Sequence, residues 1–144
     1  MAERYVIGVD GGTESLRAGV FDLQGQPRSF ASFAYPTSFT QPSWAEQNPD
    51  DWWRALGSAV RQALQEAMVR PDEVAALSVD TTCCSVVALD AAGKPLRPAL
   101  IWMDVRSGDM AAEVAASGAG GQRCRRRTGF GRMDGAEGAV APSA

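Results

Sequence analysis

The sequence predicts a mixed α/β domain, because three strand patterns open the chain and helix and strand patterns alternate only after them. The three patterns lie at residues 4–10, 16–23 and 28–35, and glycine-containing turns join them. Strands this close in sequence are expected to pair as an antiparallel meander. The predicted fold is therefore a mixed sheet that opens with this meander and is flanked by helices.

A long helix is predicted after the meander. Asn48 can cap its first turn, Pro49 suits its first position, and two aspartates follow at its positive end. Apolar residues then recur at helical spacing, which predicts a core-facing helix that ends before Pro71. These apolar residues are Trp52, Trp53, Leu56, Val60, Leu64 and Met68, and the two tryptophans are expected to be core or interface aromatics.

Further apolar runs follow this helix. Residues 74–79 are predicted to form a buried strand and residues 85–89 another, with a turn at 91–94. Residues 99–103 are a third apolar run, and residues 107–116 are predicted to form a short helix. Strand patterns on both sides of a long helix favour the mixed class.

The composition is that of an ordinary globular domain and argues against two classes of partner. The chain has 144 residues, a formal net charge of −3 and 45% hydrophobic residues. This mild acidity gives no case for nucleic-acid binding, which favours a basic face. No apolar run reaches the roughly 20 residues that span a membrane. Residues 6–9 are also too short for the apolar region of a signal peptide.

Three cysteines and no histidine limit the redox and metal chemistry. They make neither a disulfide framework nor a zinc site, which indicates a reducing intracellular compartment such as the cytoplasm. The adjacent Cys83 and Cys84 are expected to be small buried residues rather than reactive thiols, since no base is near them in sequence. Without histidine, any acid–base chemistry falls to carboxylates.

The residues with the clearest chemistry are Asp10, Gly11, Gly12 and Thr13, which lie between the first two predicted strands. The glycines let backbone amides approach phosphate oxygens, the threonine can donate a hydrogen bond, and the carboxylate can hold Mg²⁺ directly or through water. The alternative is a plain hairpin turn. The order strand, turn, strand excludes a Rossmann or Walker unit, in which a helix follows the glycine loop. Its place between two opening strands favours a phosphate turn.

Four segments resemble the FGGY family of carbohydrate kinases, in family order and with similar spacing, over residues 4–116. The segment VIGVDGGTESLRAGVFD at 6–22 is similar to the opening phosphate motif of the actin-like ATPase superfamily. The other three segments are WAEQNPDDWW at 44–53, SVDTTCCSVVALD at 78–90 and IWMDVR at 101–106. They resemble the family's helix entry, its substrate loop with the flanking strands, and its "WxDxR" element. Residues 1–116 are accordingly expected to be the N-terminal part of a kinase's first domain.

The resemblance implies a ribonuclease H-like domain and the ATP-dependent phosphorylation of a sugar hydroxyl. The substrate loop looks more like the "DxT" loop of ribulokinases than the "NQRE" loop of glycerol kinases. This disfavours glycerol and points to a ketopentose such as ribulose or xylulose, with the D-ribulokinase and pentulose kinase group as the closest resemblance. A homodimer of the full-length protein is an open expectation. The partner is a small sugar, with ATP and Mg²⁺ as cofactors.

The resemblance also assigns site residues. Asp10, Gly11, Gly12 and Thr13 would face the nucleotide phosphates, with Asp10 at the metal. The residues expected at the sugar pocket are Thr82, Cys83, Trp102, Asp104 and Arg106. Core packing of the tryptophan and a local ion pair between the last two residues are alternatives. Glu14 and Arg17 are expected to form surface or hairpin pairs.

Residues 117–144 differ from the rest of the chain. They are rich in glycine and alanine, carry a basic run at 123–127 and show no hydrophobic period. Such a stretch buries too little surface to offset its ordering entropy, which predicts a disordered basic tail. When it is translated back into codons and read one base out of frame, the region around 128–140 allows GPVSAEWM and then PKALW. Kinases of the resembled group carry a similar run, so a shifted reading frame after about Ser117 is the favoured hypothesis and a genuine disordered basic tail is the alternative.

The catalytic base and most of the ATP site of FGGY kinases are expected beyond these residues, because full-length members are several times longer. Phosphoryl transfer needs that base, a metal and groups that cradle the phosphates. The alternative to an active kinase is therefore a truncated, catalytically inactive fragment with at most weak sugar or nucleotide binding.

Overall fold

The computed structural model describes residues 4–117, which divide into two units on either side of the bond between Arg106 and Ser107. The first unit contains the strands and the long helix. Its elements are β1 (Tyr5–Gly11), β2 (Ser15–Asp22), β3 (Pro27–Ala34), β4 (Glu46–Gln47), α1 (Pro49–Ala67), β5 (Val74–Thr81) and β6 (Ala99–Leu100). The second unit contains α2 (Gly108–Ala116). The predicted tail, apart from Ser117, lies outside the described residues.

The main sheet has four strands in the order β3-β2-β1-β5. Strand β1 pairs antiparallel with β2 and parallel with β5, and β2 pairs antiparallel with β3. This confirms the predicted mixed sheet with an opening meander. Strands β4 and β6 form a separate antiparallel pair. In the part of the chain that the structure describes, no helix is long and apolar enough to cross a membrane.

Helix α1 begins where its capping residues predict. The Asn48 carboxamide oxygen accepts a hydrogen bond of 3.0 Å from the Asp50 backbone N–H, and Pro49 occupies the first turn. The helix ends at Met68, whose φ of 55° is left-handed. Met68 is 89% exposed and does not extend the core-facing stripe, which corrects that part of the prediction.

The buried face of α1 consists of alanines rather than the large apolar residues of the predicted stripe. Its fully buried side chains are Ala55, Ala59 and Ala63, and their small size lets the helix backbone lie close to the sheet. The Ser29 hydroxyl donates a 2.6 Å hydrogen bond to the Ala63 carbonyl across this contact. Trp52 packs half-buried at the edge of the core, as do Leu56, Val60 and Leu64. Trp53 is 73% exposed and is therefore not a core residue.

The core lies between α1 and one face of the meander. Alternate residues of each strand point to this face, as the period of a strand requires. The buried strand residues are Ile7, Val9, Leu16, Ala18, Val20 and Ala31, and Tyr35 and Val69 complete the cluster. Helix α1 packs chiefly on β2 and β3, so the core is centred under the meander.

Strand β5 forms as predicted but is not buried. Leu77 is 47% exposed and Val79 is 50% exposed. The reason is position, because β5 is the edge strand next to β1 and lies beyond the part of the sheet that α1 covers.

The prediction of a second strand after the helix, at residues 85–89, is wrong. Residues 85–89 make only isolated bridges, from Val86 to Leu100 and from Leu89 to Pro95. A turn follows as predicted, in which the Asp90 carboxylate accepts hydrogen bonds from two backbone amides and Gly93 has a φ of 77°. The two bridges reach residues in different segments, so no continuous ladder forms among the described residues.

Candidate functional site

The predicted phosphate turn lies where the parallel strands β1 and β5 both end. The Thr82 N–H donates a 3.1 Å hydrogen bond to the Gly11 carbonyl, and the Gly12 N–H donates one of 3.0 Å to the Ser15 carbonyl. A Cβ atom on Gly11 would lie 3.3 Å from the Thr81 methyl group, and one on Gly12 would lie 3.2 Å from the Ser15 oxygen. The glycines therefore allow close packing. The Gly12 amide is satisfied within the turn and is not a free phosphate donor.

Three buried or half-buried side chains hold the turn from the α1 side of the sheet. The Tyr35 hydroxyl donates to the Gly12 carbonyl. The Gln47 carboxamide donates to the Thr13 carbonyl at 2.6 Å and accepts from the Trp52 indole N–H at 2.9 Å. We call Tyr35, Gln47 and Trp52 the turn support.

Burial protects the hydrogen bonds of the turn support from water. Gln47 is only 4% exposed and Tyr35 only 8%. Burial raises the pKa of Tyr35, and the negative charge of Asp10 adds to this effect, so the phenol stays a proton donor. Sequence reasoning missed the roles of Tyr35 and Gln47. Gln47 lies in the WAEQNPDDWW segment, but no local pattern in that segment indicates a contact with a turn 34 residues earlier.

The other side of the turn carries charge. The Arg17 guanidinium donates a 2.9 Å hydrogen bond to the Asp10 carboxylate, and both side chains are more than half exposed. Arg17 is the β2 partner of Asp10, and Asp80 is its β5 partner. Directly paired residues share a face of a sheet, so these three side chains form a charged row across three strands. Arg17 thus forms an exposed pair across the hairpin, as predicted, and its partner is Asp10. The row that adds Asp80 was not predicted.

A cavity of about 210 Å³ lies beneath the turn on the α1 side. Its walls include Gly11, Gly12 and Thr82 among the predicted site residues, together with the turn support. The remaining lining residues are Leu16, Thr81 and Ser85. Because adjacent residues of a strand face opposite ways, the Asp10 side chain and the cavity lie on opposite sides of the sheet. The structure thus brings Thr82 to the turn but separates the cavity from the carboxylate.

Trp102 joins the turn through its indole N–H, which donates a 3.0 Å hydrogen bond to the Thr13 hydroxyl oxygen. The indole is 54% exposed, so the alternative of core packing is wrong. A bond across 89 residues links the "WxDxR" element to the phosphate turn. This hydrogen bond therefore brings the two motifs into contact.

Asp104 and Arg106 form the local ion pair that was the alternative to a sugar-binding role. The guanidinium lies 2.5 Å from the Asp104 carboxylate and 2.8 Å from Glu46, and it stacks 3.7 Å from the centre of the Trp44 ring. Arg97 adds a second contact of 2.6 Å to Glu46. These side chains are mutually satisfied, so their main visible role is to hold the chain near β4 and β6.

The carboxylates of this cluster are kept ionised. Hydrogen bonding from Arg106 holds the pKa of Asp104 far below its ordinary value, and the Ala45 N–H bond of 2.9 Å works in the same direction. Hydrogen bonding from Arg106, and then from Arg97, also lowers the pKa of Glu46. Partial burial opposes both shifts but is the weaker effect.

Cys83 and Cys84 are both exposed, which corrects the expectation of buried residues. They follow the end of β5, the edge strand of the main sheet. Cys84 has a φ of 66°, a left-handed backbone conformation that is uncommon for residues other than glycine. Neither cysteine lines the cavity beneath the turn.

Comparison with known proteins assigns the family. Residues 5–138 match the N-terminal domain of the FGGY family of carbohydrate kinases. The chain belongs to this family. The match includes the phosphate turn, its support and the Trp102 segment, and it extends into residues that the structure does not describe.

The FGGY chain is similar to curated kinases for several substrates. It is 38% identical to the ribulokinase of Geobacillus thermodenitrificans over 67% of the chain and 19% of the relative. It is 39% identical to the xylulose kinase of Streptomyces coelicolor, covering 86% and 25% of the two chains. It is 35% identical to the glycerol kinase of Thermococcus gammatolerans, covering 78% and 23%. Identity alone does not choose between these substrates.

Solved structures confirm the predicted ribonuclease H-like fold of the actin-like ATPase superfamily. The xylulose kinase from Rhodospirillum rubrum superposes with a TM-score of 0.73 at 32% identity, over 79% of this chain and 23% of that one. A xylulose kinase from Lactobacillus acidophilus gives 0.79 at 24% identity, over 88% and 25%, and this shows the fold alone. The chain therefore spans about a quarter of the length of these proteins.

Proposed function

We propose that this chain is the N-terminal part of an ATP-dependent kinase that phosphorylates a hydroxyl of a ketopentose such as ribulose or xylulose. The observation that carries the proposal is the phosphate turn, which is held from one side by buried hydrogen bonds and bears a charged row on the other. A rigid turn with an exposed carboxylate suits phosphates and a metal ion, which require groups fixed before they bind.

The residues present fit a nucleotide with Mg²⁺. Among residues 4–117 no group of three or more histidine, cysteine, aspartate or glutamate side chains is placed to hold a metal. Mg²⁺ does not require one, since it usually keeps several waters and binds through one or two carboxylates and the substrate's phosphates. Asp10 would supply that carboxylate, and Asp80 lies beside it in register. The metal would neutralise charge on the transferring phosphoryl group.

Thr13 is the second phosphate contact that we propose. Its hydroxyl oxygen accepts the Trp102 indole N–H, and its carbonyl accepts from Gln47. Because a hydroxyl has one proton and two lone pairs, the Thr13 proton stays available for a phosphate oxygen. Trp102 would thereby orient a donor as well as stand beside the sugar. Gly11 and Gly12 would contribute by the absence of side chains.

A ketopentose is favoured over glycerol by the loop after β5. It reads Asp80-Thr81-Thr82-Cys83-Cys84 and lacks the arginine and glutamate of the glycerol-kinase type of loop. Arg106 cannot replace that arginine, because it is committed to Asp104 and Glu46. Thr82 and Cys83 remain the proposed sugar contacts on this loop. Trp102 remains the proposed apolar wall.

We also propose that the 144-residue chain alone does not transfer phosphate. It spans only 19% to 25% of the relatives, and the family resemblance places the aspartate base beyond it. At most it would bind sugar or nucleotide weakly. A homodimer of the whole protein and a cytoplasmic location stay predictions.

The test is ADP release by the whole reading frame with ribulose, xylulose and glycerol in turn. We expect kcat/KM for a ketopentose to exceed that for glycerol, and no turnover by the 144-residue chain. Asp10→Asn should lower kcat/KM by about 100-fold or more, whereas Asp72→Asn, an exposed carboxylate paired with Arg70, should change nothing. A preference for glycerol would overturn the substrate, and equal activity of the two variants would overturn the role of the turn.

A further inference from the structure

Two neighbouring thiols stand exposed at the end of β5. The Sγ atoms of Cys83 and Cys84 are 3.7 Å apart, and both residues are open to solvent. The left-handed backbone of Cys84, with a φ of 66°, turns the chain so that consecutive side chains come to the same side. Adjacent residues of an extended chain would instead point in opposite directions.

The chemistry of two thiols at this spacing favours a soft, thiophilic centre. Thiolate ligands select soft ions over the oxygen-seeking Mg²⁺ or Ca²⁺. A structural zinc site needs four protein ligands, and residues 4–117 offer no third histidine, cysteine or carboxylate at this place. The central atom of a suitable ligand must therefore bond to two sulfurs and already carry its remaining substituent. A trivalent arsenic atom that carries one organic group meets this requirement.

We propose that Cys83 and Cys84 form a bidentate site for monosubstituted trivalent arsenicals. The reaction is a condensation in which the two S–H bonds and two As–OH bonds break and two As–S bonds form. The thiol protons leave in two water molecules, and arsenic stays trivalent, so no oxidant or reductant is needed. Closing the second bond gains from the high local concentration of the neighbouring thiol.

The site would regulate the proposed kinase, and this consequence rests on the proposed function. Thr82 and Ser85 flank the pair in sequence and line the cavity beneath the turn, and the Thr82 N–H bonds to the Gly11 carbonyl. An arsenic bridge would fix the loop that carries these residues and place an organic group beside them.

The binding test uses the intact 144-residue chain with Cys124→Ser, which removes the third cysteine. The protein is loaded with phenylarsine oxide, washed with excess monothiol and weighed by mass spectrometry. We expect one phenylarsenic group per chain that resists the monothiol and is released by a dithiol. Cys83→Ser and Cys84→Ser should each weaken retention by about 100-fold. Equal retention in either single variant, or none in the parent, would overturn the proposal.

A melting experiment separates a site formed by the fold from simple proximity in the sequence. A ligand that prefers the folded chain raises its melting temperature. We expect phenylarsine oxide to raise it in the Cys124→Ser parent and not in Cys84→Ser. No rise in the parent would show that the unfolded chain binds equally well and would contradict the structural claim. Neither measurement depends on sugar phosphorylation. A failure of the arsenical proposal can therefore be distinguished from a failure of the kinase proposal, which the ADP-release assay tests.

Discussion

Two valines on neighbouring strands show how differently the covered and open parts of this sheet behave. Val9 on β1 and Val79 on β5 are direct partners in the parallel pairing and so share a face. Val9 is 4% exposed, whereas Val79 is 50% exposed. Residue type and face are matched, so the difference comes from the place of each strand: β1 lies inside the sheet, whereas β5 is the edge strand beyond the reach of α1.

The comparison distinguishes the region that stabilises the fold from the region that carries the exposed loop. The covered region, under α1, holds the core and the support of the phosphate turn. The open region begins at β5 and carries the loop with Thr82, Cys83 and Cys84. Rigid elements therefore hold one side of the proposed site and an exposed loop would supply the other, which is the usual division between scaffold and binding loop.

The largest effect should come from placing a charge at the two matched valines. Val9→Asp would bury an unpaired carboxylate, which costs several kcal/mol and is comparable with the whole stability of a small domain. Val79→Asp keeps access to water and should cost about 1 kcal/mol or less. Urea denaturation followed by circular dichroism measures both. Similar losses in the two variants would show that β5 is covered in solution.

The second effect is the loss of stability in acid. Because the pKa of Asp104 is lowered in the folded chain, its ionised form stabilises the fold at neutral pH. That contribution should disappear as pH falls below the ordinary value of 3.8 towards the lowered one. Thermal unfolding from pH 6 to pH 2 should show a steeper acid loss in the parent than in Asp104→Asn. Parallel curves would mean that the cluster with Arg106 does not form.

A third, smaller effect should distinguish two glutamines. Gln47→Ala leaves the Thr13 carbonyl and the Trp52 indole without their partner, which should cost about 1–3 kcal/mol. Gln62 is exposed on α1 and its side chain bonds to Glu66 on the same helix, so Gln62→Ala should change the free energy of unfolding by no more than about 0.5 kcal/mol. Denaturant titration measures the free energy of unfolding of both variants. An equal cost for both would remove Gln47 from the turn support.

The smallest effect tests helix capping. Asn48→Ala should cost about 1 kcal/mol, since its side chain accepts the Asp50 N–H at the start of α1. Ser107 holds the same position before α2 but makes no side-chain capping bond, so Ser107→Ala should be nearly neutral. The two melting temperatures provide the comparison. A larger loss at Ser107 would contradict the capping geometry.

Local patterns in the sequence predicted the local structure well. Alternation and turn residues gave the three strands of the meander, and Asn48 with Pro49 gave the start of α1. These features depend on residues a few positions apart. The family resemblance predicted the fold, whereas the hydrogen bond from Trp102 to Thr13, which connects two of its motifs, became visible only in the structure.

Features that depend on distant contacts could not be predicted in this way. Apolar content suggested a buried β5, but burial depends on how far α1 extends. Val86 and Leu89 have strand-like neighbours in sequence, yet residues 4–117 offer them no continuous partner strand. The partners of Gln47 and Arg106 lie tens of residues away, at Thr13 and Glu46, and neither pair has a local signal.

The central claim is that this chain is the front part of a sugar kinase whose catalytic base is encoded further on. Sequencing the transcript across the codons for residues 116–144 and onward tests it most directly. We predict a one- or two-base difference that restores GPVSAEWM and opens a long frame with an aspartate base and a second nucleotide-binding domain. An unaltered transcript that stops after Ala144 would contradict the claim and leave a fragment without catalysis.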